Sequence, residues 1–276
     1  MAYQYQLLNV ETEGRLAWVT VANPPINLIT VELFAELAAL STELAQDPAL
    51  TVVVMKSSNA DFFLSHFDVA AILAFPTDQP AVRDTRLNDY HQMCERFRTM
   101  DKVTIAQIEG RVGGGGSELA ASFDMRFGVR GRTRINQMEV PLGILPGGTG
   151  TQRLPRLVGR GRALEIILAG EDLDADTAER WGYLNRIYAA DEIGPAVAAL
   201  ARRIASFPVD AVRLAKESVT AAEKPLEEGL LDEAHLFQKL LRTESAQNNM
   251  RKFLEIGGQT REGELRVDEL SRRLGE

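Results

Sequence analysis

The stretch "GRVGGGGSELAASFD", Gly110–Asp124, sets four consecutive glycines, Gly113–Gly116, directly before a run that reads as a helix from about Ser117. Glycine loses more backbone entropy on folding than other residues, so such a cluster marks backbone that must come close to something. One reading is a turn, with Glu118 a simple acid near a positive helix terminus. The other is a loop whose bare N–H groups, at the positive end of a helix, face a ligand or a developing oxyanion.

Outward from these glycines the chain alternates strand and helix. "VTIAQIEG" (Val103–Gly110) leads into them as a strand, and "MRFGV" (Met125–Val129) follows the helix as another. "TVVVMK" (Thr51–Lys56) is a continuous apolar run of the kind found in strands buried on both faces. "RLAWVTV" (Arg15–Val21) is a β-branched alternating strand, broken by the two prolines of "ANPPINLIT". Thr30 is placed to cap a helix whose Leu33, Leu37, Leu40 and Leu44 form one apolar stripe. Gly161–Gly170 and Asp174–Gly182 read as helices and "YLNRIY" as a short strand. Beyond about Ala190 come four helical runs with little strand character, with Pro195, Pro208 and Pro225 at or near their starts. This order predicts an α/β core followed by a C-terminal helical subdomain.

The bulk composition excludes several classes. The 276 residues carry a net charge of −8, which argues against a broad nucleic-acid or anionic-membrane surface. One cysteine, Cys94, excludes an internal disulfide and fits a reducing compartment. The first residues lack a basic segment followed by an apolar core, and no apolar run approaches a membrane span. A soluble, cytoplasmic protein is expected. Its three histidines, His66, His91 and His235, show no metal-ligand spacing, so no metal is expected. "GILPGGTGTQ" comes nearest to a phosphate-gripping loop but has no lysine, and no G-x-S-x-G elbow occurs. Carboxylates and backbone donors remain as the candidate chemistry. Glu139, between Met138 and Val140 and before Pro141, is either an exposed residue or a carboxyl held in an apolar pocket.

Four stretches in order resemble the enoyl-CoA hydratase/isomerase (crotonase) family, and the resemblance covers almost the whole chain. "ANPPINLIT" looks like its Asn-x-Pro-x-x-Asn turn, and "DFFLSHFD" stands in place of its Phe-x-Ala-Gly-x-Asp stretch. "IAQIEGRVGGGGSELAASFD" is similar to its Gly-Gly-Gly-x-Glu-Leu-Ala element, and "MEVPLGILPGGTGTQRL" to its Pro-Glu-x-x-Leu-Gly and Pro-Gly-x-Gly-Gly-Thr-Gln-Arg-Leu block.

The resemblance implies a crotonase-like spiral of strand–strand–helix repeats over residues 1–192, with a helical region over 193–276 that builds trimers or hexamers and covers the active site. It implies an acyl-CoA substrate, with coenzyme A part of that substrate and no separate cofactor. The N–H groups of Phe67 and Gly115 fall on the family's oxyanion-hole positions, and Glu118 and Glu139 on its catalytic pair. Ser65, His66, Asp68, Val69, Ala70 and Gly114 fall around the substrate. Because both glutamates are kept, hydration of a 2-enoyl-CoA is the leading expectation. Isomerisation, a specialised dehydration and thioester hydrolysis are the alternatives within the family, and RNA binding or a silent assembly role lie outside it.

Local chemistry suggests that a helix N-terminus keeps Glu118 ionised as base, while apolar neighbours keep Glu139 protonated as acid. Twenty-one residues separate the two, so only tertiary structure can pair them. The chain departs from the family's pattern at His66, where glycine is usual, and at Ala70, where a lysine that contacts the CoA nucleotide is missing. His66 is expected to reshape the loop that carries Phe67. Val69–Asp84 and Leu87–Thr99 are expected to line the acyl pocket.

Overall fold

The computed structural model describes residues 3–80 and 82–274. Its strands are β1 (Leu8–Glu13), β2 (Leu16–Val21), β3 (Val52–Ser57), β4 (Phe62–Leu64), β5 (Val103–Ile108), β6 (Arg111–Gly113), β7 (Met125–Val129), β8 (Arg134–Asn136), β9 (Leu173–Asp174) and β10 (Arg186–Tyr188). The helices that matter for the site are α1 (Val31–Gln46), α2 (Val69–Leu73), α3 (Asp89–Thr99), α4 (Gly114–Ala121) and α5 (Gly150–Val158). After them come α6 (Arg160–Ala169), α7 (Ala175–Trp181), α8 (Ile193–Ser206), α9 (Val209–Ala221), α10 (Leu226–Leu241) and α11 (Glu244–Glu255).

From β3 to β8, consecutive strands alternate between two sheets. One runs β1-β2-β3-β5-β7-β10 and the other β4-β6-β8-β9. Over β3–β8 each turn of chain adds one strand to the first sheet, one to the second, and then helix; β9 and β10 close the second and first sheets in turn. The additions over β3–β8 are parallel, as at β3/β5, β5/β7, β4/β6 and β6/β8. That winding is the expected spiral of strand–strand–helix repeats.

The period-2 geometry of β3 explains its apolar run. Val53 and Met55 belong to the main core, while Val52 and Val54 pack with Ile193, Val197 and Ala201 of α8. A strand covered on both faces needs no polar side, so the sequence shows no alternation there. Thr30 caps α1 by accepting from Leu33 N–H, and Leu33, Leu37, Leu40 and Leu44 are all buried, as the stripe predicts.

α4 departs from the sequence expectation by starting at Gly114 rather than near Ser117, so three of the four glycines lie inside the helix. Each costs about 1 kcal/mol relative to alanine in a helix, which is why the run reads as a loop. Packing overrides that cost here, because every residue from Gly114 to Ala121 is buried. A Cβ on Gly116 would lie 2.4 Å from Leu64 O and 2.6 Å from Ser65 O, so only glycine lets α4 approach β4 this closely.

Candidate active site

The segment after β4 is held by Asn27, a non-glycine residue at φ +51°. Asn27 Nδ2 donates to Ser57 Oγ (2.7 Å) and Phe63 O (3.0 Å), and Ser65 Oγ donates to Ile26 O (2.7 Å). An isolated bridge then ties Ile29 to Phe67: Ile29 N–H donates to His66 O (3.1 Å) and Asp68 N–H to Ile29 O (3.0 Å). This pattern leaves out the N–H of Phe67. Gly115, second residue of α4, likewise has an N–H with no partner in its own helix. A Cβ on Gly115 would lie 3.3 Å from Phe67 N, so the two residues abut, and both line one cavity.

Gly114 lies behind them at φ +45°, where a Cβ would meet His66 Cβ at 2.6 Å and Glu139 Oε1 at 3.1 Å. Glycine is required there by both conformation and space. The left-handed turn therefore sits at Gly114. His66 is not among the non-glycine residues of positive φ, which among the described residues are Asn27, Thr149 and Gln259. The loop accommodates histidine at 66 without strain, and His66 Nδ1 donates to Phe67 O at 2.8 Å.

The two glutamates reach one cavity from different elements. Glu118 projects from α4, and its Oε1 accepts from Gly148 N–H (2.8 Å) and Gly150 N–H (2.7 Å). Between those donors Thr149 sits at φ +128°, an outlying conformation for a β-branched residue and a cost that the surroundings must hold in place. Glu139 precedes the 3-10 turn Val140–Leu142, and its Oε2 is buried with no hydrogen-bond partner among the described residues. Both carboxyls line a cavity of about 550 Å³, with Phe67, Gly115 and His66 on the same wall system.

Burial dominates the electrostatics of both acids. Glu118 is 4% exposed and is pushed up to about 7 by desolvation, against the pull of the Gly150 and Gly148 N–H groups, with Glu139 adding a smaller upward push. Glu139, 8% exposed, is also raised by burial, partly offset by His66. The expectation that a helix terminus keeps Glu118 ionised does not describe this environment. Glu118 is the fifth residue of α4, past the reach of the terminal dipole, and its donors come from a different segment. Cys94, also near Glu118, is pushed up to about 12 by burial and is no thiolate near neutrality.

Of the remaining expected site residues, Val69 lines the cavity, while Ser65, Asp68, Ala70 and Gly114 do not. Ser65 is buried in the loop's own hydrogen bonds, and Asp68 caps α2 by accepting from Ala70 N–H at 2.9 Å. Their contribution is to shape the loop. Val69, Ile72 and Phe75 on one side and Asn88, Asp89 and Tyr90 on another do line the cavity, inside the two segments expected to do so. Met138, Leu142, Ile144 and Leu145 complete an apolar wall.

Sequence reasoning missed Tyr90 and the Gly148/Gly150 donors. The glycine cluster of "GILPGGTGTQ" was a visible signal for the donors, but nothing local tied it to Glu118. Tyr90 stacks on Phe34 (5.6 Å between centroids) and packs edge-on to Phe67 (6.0 Å), and its hydroxyl donates to Gly115 O at 2.7 Å. Tyr90→Phe keeps the ring and removes that bond. It is expected to cost about 1 kcal/mol in urea unfolding, the worth of one hydrogen bond.

A family profile described as enoyl-CoA hydratase/isomerase matches residues 11–261. The crotonyl-CoA hydratase of Syntrophomonas wolfei is 32% identical over 258 residues, covering 92% of this chain and 96% of that protein. The short-chain-enoyl-CoA hydratase of Clostridium acetobutylicum is 29% identical over 248 residues, covering 89% and 94%. Among solved structures, an enoyl-CoA hydratase from Geobacillus kaustophilus HTA426 superposes with a TM-score of 0.83 at 29% identity, over 91% of this chain and 95% of that one. No helix among the described residues is long and apolar enough to cross a membrane.

Proposed function

The chain belongs to the enoyl-CoA hydratase/isomerase family, and we propose that it adds water across the 2,3 double bond of a 2-enoyl-CoA thioester. One observation carries this reading: two buried carboxyls line a single cavity together with Phe67 and Gly115, adjoining residues whose main-chain N–H groups have no hydrogen-bond partner among the described residues.

In this mechanism the thioester oxygen accepts from Phe67 N–H and Gly115 N–H. As the nucleophile adds at Cβ, negative charge moves onto that oxygen and both bonds strengthen, each worth about 2.7–4 kcal/mol at the transition state. Glu118, with Oε1 held by Gly148 and Gly150, uses its other oxygen to take a proton from the attacking water. Glu139, lacking a partner on Oε2 and with its protonated form favoured by burial, delivers a proton to Cα. Hydroxyl is added to Cβ and hydrogen to Cα, and a proton returns from Glu118 to Glu139 to reset the pair. Coenzyme A enters only as part of the substrate. The exposed apolar residues of α10, among them Leu226, Leu230, Leu231 and Phe237, would be covered by another subunit in the homotrimer or pair of trimers that the family resemblance implies.

The direct test follows loss of the conjugated thioester absorbance on adding crotonyl-CoA; no loss across a panel of enoyl-CoA chain lengths would remove the hydratase reading. The pH dependence adds a second check. A base pushed up to about 7 is protonated below that pH, so kcat/KM is expected to fall on the acid side with a limb near pH 7, well above an ordinary carboxylate. Because the two acids interact, the limb belongs to the pair. A profile flat from pH 5 to 8 would contradict the assignment.

A further inference from the structure

The peptide unit joining Gly147 to Gly148 is hydrogen-bonded at both ends. Its N–H donates to Glu118 Oε1 at 2.8 Å, and its carbonyl oxygen meets His91 Nε2 at 2.7 Å. A carbonyl oxygen only accepts, so Nε2 carries the hydrogen. A trans peptide is planar with C=O and N–H pointing opposite ways, so fixing one end aims the other. The need for an anchor is local. Glycine on both sides of this peptide leaves its rotation nearly unrestrained, and the next residue, Thr149, sits at φ +128°.

We propose that His91 is a positioning residue for Glu118: by donating to the Gly147 carbonyl it holds the Gly147–Gly148 peptide in the orientation that turns its N–H onto the catalytic carboxylate. The inference rests on the reading of Glu118 as the base. α3 then serves the site twice in succession, with Tyr90 bonded to the Gly115 carbonyl and His91 to the Gly147 carbonyl. Linked hydrogen bonds polarise one another, so the imidazole also strengthens the N–H that favours ionised Glu118.

The other groups facing Glu118 do not duplicate this. Tyr90 and Cys94 of α3, and Tyr183 from the turn after α7, are raised by burial and stay neutral near pH 7. Glu139 pushes in the opposite direction, and His66 acts electrostatically on Glu139. The Leu145–Gly150 segment that His91 meets carries no ionisable side chain, and Asp89 is the acid nearest to it along α3.

The test compares His91→Leu, which removes the donor, with His91→Gln, whose amide nitrogen can replace Nε2. Two quantities are read: kcat and KM for crotonyl-CoA, and the titration of Glu118 by carboxyl carbon NMR, its signal identified by loss in Glu118→Gln. His91→Leu is expected to lower kcat about 3- to 10-fold with KM within about twofold. The Glu118 midpoint should move up by about half a pH unit or more, because a bond to the charged form has been lost. His91→Gln should recover both. If His91→Leu does not fold, His91→Asn takes its place, since the shorter amide does not reach the carbonyl.

A folded variant with the parent midpoint and parent kcat overturns the inference. So does a loss of kcat that is equal in both variants and leaves the midpoint unmoved, since that is a loop effect only. If the parent hydrates no enoyl-CoA, the hydratase reading falls, and the NMR midpoint still decides whether His91 acts on Glu118.

Discussion

Glu118→Gln is expected to lower kcat for enoyl-CoA hydration by about 10²–10⁴-fold, the usual range for a positioned acid or base. Glutamine keeps an oxygen for the Gly148 and Gly150 N–H groups, so the loop is expected to stay in place while the proton acceptor is lost. The same substitution should change stability in a pH-dependent way, and the sign follows from burial. Glu118 moves from an ordinary 4.5 to about 7 on folding, so between those values the folded chain binds more protons than the unfolded one. Stability from this group is then complete below about pH 4.5 and is lost as pH rises through 7. The full interval corresponds to about 3 kcal/mol. Glu118→Gln should therefore be more stable than the parent at pH 8 and nearly equal to it at pH 4, measured by urea unfolding at both. A variant less stable at pH 8 than the parent would mean that Glu118 is held ionised after all.

Gly116→Ala is expected to be the most damaging single-methyl change near the site. The new Cβ would lie 2.4 Å from Leu64 O, 2.6 Å from Ser65 O and 2.8 Å from Leu64 C, all backbone atoms that no rotamer change can move aside. Either α4 retreats from β4 or the Leu64–Ser65 segment shifts, and Phe67 is two residues further along that segment. Overpacking of this kind costs about 1–3 kcal/mol, and a displacement of about 1 Å in a catalytic donor costs about 10²-fold in rate. The Gly116 N–H bond to Ser65 O (3.1 Å) would be strained by the same movement. Gly113→Ala is the control. Gly113 has an ordinary extended backbone at φ −142°, and its nearest contacts would be at 3.8 Å, so a stability near the parent's is expected. Thermal unfolding and crotonyl-CoA turnover of both variants check this. Equal behaviour of the two would show that close approach of α4 to β4 is not what the glycines provide.

Much of the fold was legible because its larger elements carry a local signal. The apolar run in β3, the leucine stripe of α1 behind Thr30 and the succession of helices after Ala190 each fit one secondary structure. The second sheet was not legible. β4, β6 and β8 are three residues long and β9 is two, too short for any period to show. The edge strand β1, "LNVETE", is largely exposed and polar, so it lacked an apolar face to read. The start of α4 was missed for the opposite reason: a correct local preference of glycine was overruled by packing.

The sequence by itself determined which atoms are available: two glutamates, a run of glycines with no side chains in the way, a single cysteine, and much of the order of strands and helices. Tertiary structure alone decided what those atoms do. It brought Glu118 and Glu139 to one cavity, supplied the donors for Glu118 from residues 30 and 32 positions away, and set His91 behind one of them. The physical reason is that secondary structure follows from interactions between near neighbours in the chain. The acidity of a carboxyl follows from how much water and how many dipoles surround it, and those are contributed by segments distant in sequence.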